Sequence, residues 1–74
     1  MDLNNFILKF AEAIEISDVY SISSETVFKE LDEWSSISIM LVIAFFDEEF
    51  DKQIGDKEIK KCNTIQDLYN LATA

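Results

Sequence analysis

The residues Asp32-Glu33-Trp34-Ser35-Ser36-Ile37-Ser38-Ile39-Met40-Leu41-Val42-Ile43-Ala44-Phe45-Phe46-Asp47-Glu48-Glu49-Phe50-Asp51 decide the fold of this chain. Acids and a tryptophan lead into serines, a long apolar run follows, and a second acid cluster closes it. The uncharged run over 39–46 is far short of the roughly 20 residues a membrane-spanning helix needs. It predicts a helix over 36–51 that is buried around most of its circumference. Ile39, Val42, Ile43, Phe46 and Phe50 form its main inward stripe, at three- and four-residue spacing. Met40, Leu41, Ala44 and Phe45 widen that stripe. Ser35 or Ser36 caps the start. Asp47, Glu48, Glu49 and Asp51 crowd the negative end of the helix dipole, which costs a few tenths of a kcal/mol per charge. Such acids either form a solvated end or serve a partner.

Outward from this element the chain reads as further helices. Over 2–15, Leu3, Phe6, Ile7, Phe10, Ala13 and Ile14 share one face, and Asp2 suits the first turn. Residues 16–35 read as a long loop, rich in the cap and turn formers Ser17, Asp18, Ser21, Ser23 and Ser24. Ile16, Val19, Tyr20 and Ile22 are expected to pin it to the core. A short helical turn is expected from Ser24 to about Leu31, with Phe28 and Leu31 inward. Gln53-Ile54-Gly55 is a break, and Asp56 begins a short third helix over 56–61. Thr64-Ile65-Gln66-Asp67 is a capping-box variant that opens a last helix carrying Ile65, Leu68, Tyr69 and Leu71 or Ala72. The expected fold class is all-α: a small four-helix bundle, three main helices plus a short third one, in a single domain over 1–74.

Composition excludes much chemistry. The 74 residues hold 15 acids against six lysines, for a net charge of −9, with no histidine and no arginine. Nucleic acid and anionic membrane surfaces would repel such a chain, whereas basic surfaces would attract it. One cysteine forbids an intramolecular disulfide, and Cys62 without histidine makes no metal cluster. A single glycine leaves no phosphate-cradling loop. No catalytic set is present, so a binding or carrier role is expected rather than an enzyme. The start of the chain lacks the basic-then-apolar layout of a signal peptide, and a soluble cytoplasmic monomer is expected, without membrane insertion. Trp34 is expected to lie over the core, Cys62 to be an ordinary partly buried thiol, and Tyr20 and Tyr69 to sit at the core edge.

Ser36 is the residue of most interest. A serine in the first turn of a helix is commonly a cap. With no histidine to act as base it is no catalytic nucleophile. It is instead suited to accept a modification made by another enzyme. A phosphodiester there would meet unpaired N–H groups and the positive end of the helix dipole.

The chain resembles the acyl carrier protein family over nearly its whole length. That family carries Asp-Ser-Leu, then an apolar helix, then Glu-Glu-Phe. Here the same spacing reads Ser35-Ser36-Ile37, then residues 38–46, then Asp47-Glu48-Glu49-Phe50-Asp51. Phe28-Lys29-Glu30-Leu31, Ile54-Gly55-Asp56 and Thr64-Ile65-Gln66-Asp67-Leu68 match further family segments. The resemblance implies that a phosphopantetheinyl transferase attaches 4'-phosphopantetheine to Ser36. It implies acyl or aminoacyl groups carried as thioesters to ligases, synthases or transferases with basic or apolar docking surfaces, in a fatty-acid or specialised pathway.

Two departures stand out. Ser35 replaces the motif aspartate, which in the family assists the transfer and its metal, so it bears on priming efficiency. Ser38 and Leu41 occupy positions where the family commonly has acids. Ile37, Met40 and Leu41 are therefore expected to form an apolar partner surface, joined by the acids Asp47 and Glu48. Leu31-Asp32-Glu33-Trp34 resembles the Leu-x-x-Trp version found in specialised stand-alone carriers. The competing expectation is an unprimed interaction module that keeps the fold and binds one partner through the same face.

Overall fold

The computed structural model describes residues 1–74 and is a bundle of four α-helices with no strand. The helices are α1 (Leu3–Ala13), α2 (Ser36–Phe50), α3 (Asp56–Lys61) and α4 (Ile65–Thr73). Two short 3-10 turns, Val19–Ser21 and Phe28–Glu30, interrupt the long connection between α1 and α2. The all-α expectation therefore holds, including the short third helix.

Local chemistry explains most of the helix ends. The Asn5 N–H donates to Asp2 Oδ1 at 2.8 Å, so Asp2 caps α1. At the other end Ile16 N donates to Ala11 O (2.8 Å) and Glu15 N to Glu12 O (3.2 Å). This is a Schellman closure, in which the first residue beyond the cap is left-handed. Glycine is nearly absent from the chain, and Glu15 takes that conformation with φ 62°. Asp51 does the same after α2, with φ 50° and its N–H donating to Asp47 O at 3.1 Å. At α4 the expected box is present: Asp67 N donates to Thr64 Oγ1 at 3.2 Å, and Thr64 N to Asp67 Oδ2 at 3.1 Å. α3 begins at Asp56 as expected, and its N-cap is Gly55, which donates to Glu58 Oε2 at 2.7 Å.

The core is built mainly from aromatic rings. Phe6, Phe10, Phe28 and Phe46 are fully buried with Val42, Ile59, Ile65 and Leu68. Phe6 is its hub: the rings of Phe10, Phe45, Phe46, Phe50 and Tyr69 all lie within 6.4 Å of it, centroid to centroid. The inward face of α2 is rotated from the expected stripe. Phe45 is buried, while Ile39 and Ile43 are only half-buried. The reason is tertiary: α1 lies against α2 and presents Phe6 to Phe45 at 5.5 Å, and no period in α2 alone encodes that neighbour.

The connection over 16–35 is tied down by the backbone. Ile65 N donates to Thr26 O (3.1 Å) and Gln66 N to Ser24 O (2.8 Å). These carbonyls satisfy first-turn N–H groups of α4 that no helix can satisfy for itself. Residues 23–26 form a tight turn, Thr26 N donating to Ser23 O at 3.1 Å, that lies against the start of α4, and the helical turn starts at Phe28 rather than at Ser24. Ile16 and Ile22 are buried as expected. Tyr20 is not a core-edge residue: it is 95% exposed. Tyr69 packs on Phe6, and its hydroxyl donates to the Met1 carbonyl at 3.2 Å.

Candidate functional site

The approach to α2 is a chain of tight turns hung on Phe28. Leu31 N donates to Phe28 O (3.2 Å) and Trp34 N to Leu31 O (3.0 Å). The half-buried Trp34 ring meets the Phe28 ring edge-on, with centroids 5.0 Å apart. This contact holds the backbone at residue 34, one step before the serines. The expectation that Trp34 covers the core is met.

Three serines then divide the work at the start of α2. Ser35 is the N-cap residue, in extended conformation. Its N–H donates to Ser38 Oγ at 2.9 Å, and the two hydroxyl oxygens lie 3.5 Å apart. Ser38 is only 2% exposed, so it is not the surface position expected for it. Its hydroxyl turns back to satisfy the backbone of the turn, as Glu or Gln does at the third position of a capping box. Ser35-x-x-Ser38 carries that spacing in the sequence, which is the signal that would have identified it. Ser36 lies between them as the first helical residue. It is exposed, and its hydroxyl takes part in no hydrogen bond of the protein.

The surroundings of Ser36 suit an anionic substituent. The Ser36 and Ile37 N–H groups have no carbonyl partner, and the first turn of α2 contains no acid. Free N–H groups and the helix dipole both favour negative charge there. Asp32 and Glu33 are exposed and precede the turn. An exposed, unbonded hydroxyl at this place fits a phosphodiester link.

Of the five expected partner-facing residues, Met40 and Asp47 border one groove beside α2, Leu41 and Glu48 border another, and Ile37 borders neither. Ile37 and Met40 are 63% and 70% exposed, an unusual apolar presentation for a small domain. Met40, Ile43, Asp47 and Ile54 line a groove of about 440 Å³ between α2 and the segment before α3. Leu41 and Glu48 turn the other way, toward α1. Leu41 is half-buried rather than exposed, because α1 shields it. Asp47, Glu48 and Glu49 are exposed, and Glu49 lies 3.8 Å from the Lys9 ammonium.

Three other titratable groups are tied into the fold. Burial pushes the Cys62 thiol up from its ordinary value, and its sulfur lies against the Glu58 carbonyl. Hydrogen bonds from backbone N–H groups lower two carboxyls: Gly55 acts on Glu58, and Asn63 with Thr64 on Asp67. No group of acids and cysteine is arranged to hold a metal ion. No helix is long and apolar enough to cross a membrane. No family model matches this chain, and no curated protein or solved structure matches it.

Proposed function

We propose that this protein is a carrier, modified at Ser36 with 4'-phosphopantetheine by a phosphopantetheinyl transferase. One observation carries the reading. A serine in a first helical turn ordinarily caps the helix, yet here Ser35 and Ser38 do that work and Ser36 does not. Its hydroxyl is exposed and free, with unpaired N–H groups beside it and no acid in its turn. The spacing from Ser36 to Glu48-Glu49-Phe50, and its resemblance to acyl carrier proteins, supports the same conclusion.

When bound, the group would supply a flexible arm ending in a thiol that holds acyl or aminoacyl cargo as a thioester. The protein's own part is to present and to dock. Ser36 anchors the arm on a rigid helix, so the tethered thiol reaches a docked enzyme's site at high effective concentration. Ile37 and Met40 offer an apolar contact beside the anchor, and Asp47 and Glu48 draw in basic surfaces. Ligases, synthases or transferases of a fatty-acid or specialised pathway are the fitting partners. Cys62 is unsuited to the carrier task, because it is buried and fixed.

Intact-mass measurement of the protein from its native host tests this. The expected result is a mass gain of one phosphopantetheine, mapped to the peptide containing Ser36 and absent from Ser36→Ala. A gain on Ser35, or none in the host or with any broad-specificity transferase, would overturn it.

A second reading is an unprimed interaction module. The apolar pair Ile37 and Met40, so exposed beside the serine, favours it. In that case Ser36→Ala protein would support the pathway in cells and co-purify with a stoichiometric partner.

A further inference from the structure

Besides the groove near Ile54, α2 borders a second one, which it shares with α1. Its volume is about 300 Å³. The floor is apolar, made of Ala13 from α1 with Leu41, Ala44 and Phe45 from α2. Ala13 and Ala44 are small, so the backbone of a third helix could come close there. The rim is acidic: Glu12 stands on the α1 side, and Glu48 and Glu49 on the α2 side. Lys9 is the one cation of the lining, and it faces Glu49 at 3.8 Å with half of its side chain exposed. Three carboxylates against one ammonium leave the rim net negative, on a chain whose total charge is −9.

We infer that this groove docks a partner protein through an amphipathic helix that carries Lys or Arg on both sides of an apolar stripe. Helix-in-groove recognition uses apolar anchors at helical spacing, and here the flanking cations would meet the acidic rim. The charge excludes the other occupants. A second copy of this chain brings the same −9, and anionic membranes and nucleic acids are repelled as well. Lys9 with Glu49 already shows the pairing a guest ammonium would make with Glu12 or Glu48.

Position gives the groove a role of its own. Glu48 lies about 18 Å along the α2 axis from Ser36. A helix seated between α1 and α2 would leave the Ser36 end of α2 open to a second protein. The groove is thus a standing attachment point, and it does not depend on whether Ser36 is modified.

The probe is a labelled 16-residue designed helix, with a leucine stripe flanked by lysine and arginine. Its control has glutamate at the flanking positions. Titration into isotope-labelled full-length protein is followed by NMR, with affinity read by fluorescence anisotropy at low salt. Shifts centred on Glu12, Ala13, Leu41 and Glu48 are expected. Glu12→Lys/Glu48→Lys should weaken binding by roughly tenfold or more, and added salt should weaken it in the wild type. Ser36→Ala should bind like the wild type. Both glutamates are exposed, so the variant should remain folded, and its thermal melt verifies this. Shifts centred on Ile37, Met40 and Ile54 would overturn the inference, as would equal binding of the glutamate-flanked control. Unchanged affinity of the charge-reversed variant would do the same. So would groove resonances that move with the protein's own concentration, since the occupant would then be a second copy.

Discussion

The division of labour among Ser35, Ser36 and Ser38 gives a sharp test, because two alanine variants two residues apart should fail in opposite ways. In Ser38→Ala the Ser35 N–H loses its acceptor at 2.9 Å, in a turn where Ser38 is 2% exposed. A net hydrogen bond is worth about 1 kcal/mol, and leaving the donor unsatisfied in a partly buried place raises the cost toward 1.5 kcal/mol. Alanine recovers up to about 0.5 kcal/mol of helix propensity. Ser36→Ala gains the same propensity and loses no bond, so propensity cancels in the comparison of the two variants. Ser38→Ala should therefore be less stable than Ser36→Ala by about 1–1.5 kcal/mol. At roughly 4–8 °C per kcal/mol for a domain of this size, the melting temperatures should differ by about 4–12 °C. Circular dichroism melts read that difference. Intact mass after incubation with coenzyme A and a broad-specificity transferase reads the other half. Wild type and folded Ser38→Ala should gain the arm, and Ser36→Ala should not. Equal melting temperatures for the two variants would refute the capping assignment. A mass gain on Ser36→Ala would refute the attachment assignment.

Three further outcomes are expected. Ser35→Asp introduces the aspartate of the acyl carrier motif that the chain resembles and keeps a strong N-cap, so on the proposed carrier reading stability should hold within about 0.5 kcal/mol while the rate of mass gain with the transferase rises; an unchanged rate would show that Ser35 does not limit that step. Phe6→Ala removes the ring at the centre of the aromatic cluster and should cost about 3–5 kcal/mol, a large part of the roughly 4–11 kcal/mol available to a chain of this length, so a melting temperature lowered by less than about 10 °C would contradict the central role of Phe6. The Asp67 carboxyl titrates lower in the folded chain than in the unfolded one, so its contribution is complete above its ordinary value and disappears as pH falls through the lowered one. The melting-temperature gap between wild type and Asp67→Ala should thus be full at neutral pH and close below roughly pH 4, and a gap that stays constant into acid would refute that linkage.

The site was legible in part. The exposure of Ile37 and Met40 was anticipated through the resemblance to acyl carrier proteins, which also directed attention to Ser36. Ser38 was misplaced on the surface, although the Ser35-x-x-Ser38 spacing was visible, because serine at the third helical position is a weaker capping signal than Glu or Gln. The pairing of Leu41 and Glu48 with Glu12 and Ala13 of α1 could not be read, because it requires knowing which helix lies beside α2.

The same boundary runs through the fold. Helix existence, length and most caps are local matters. Periodicity, the Asp2 cap and the Thr64-Asp67 box act within a few residues, so the sequence alone determined four helices, their order and their approximate limits. The left-handed residues Glu15 and Asp51 lay beyond it, since glycine, the usual marker of such caps, occurs once in the chain and elsewhere. Tertiary structure decided the rotation of α2 that buries Phe45 ahead of Ile43, the docking of the 23–26 turn on the start of α4, and the exposure of Tyr20. A half-apolar helix fixes only that some face is buried; the neighbouring rings and unpaired N–H groups it meets fix which one. For α2, that choice leaves Ser36 outward with its hydroxyl free.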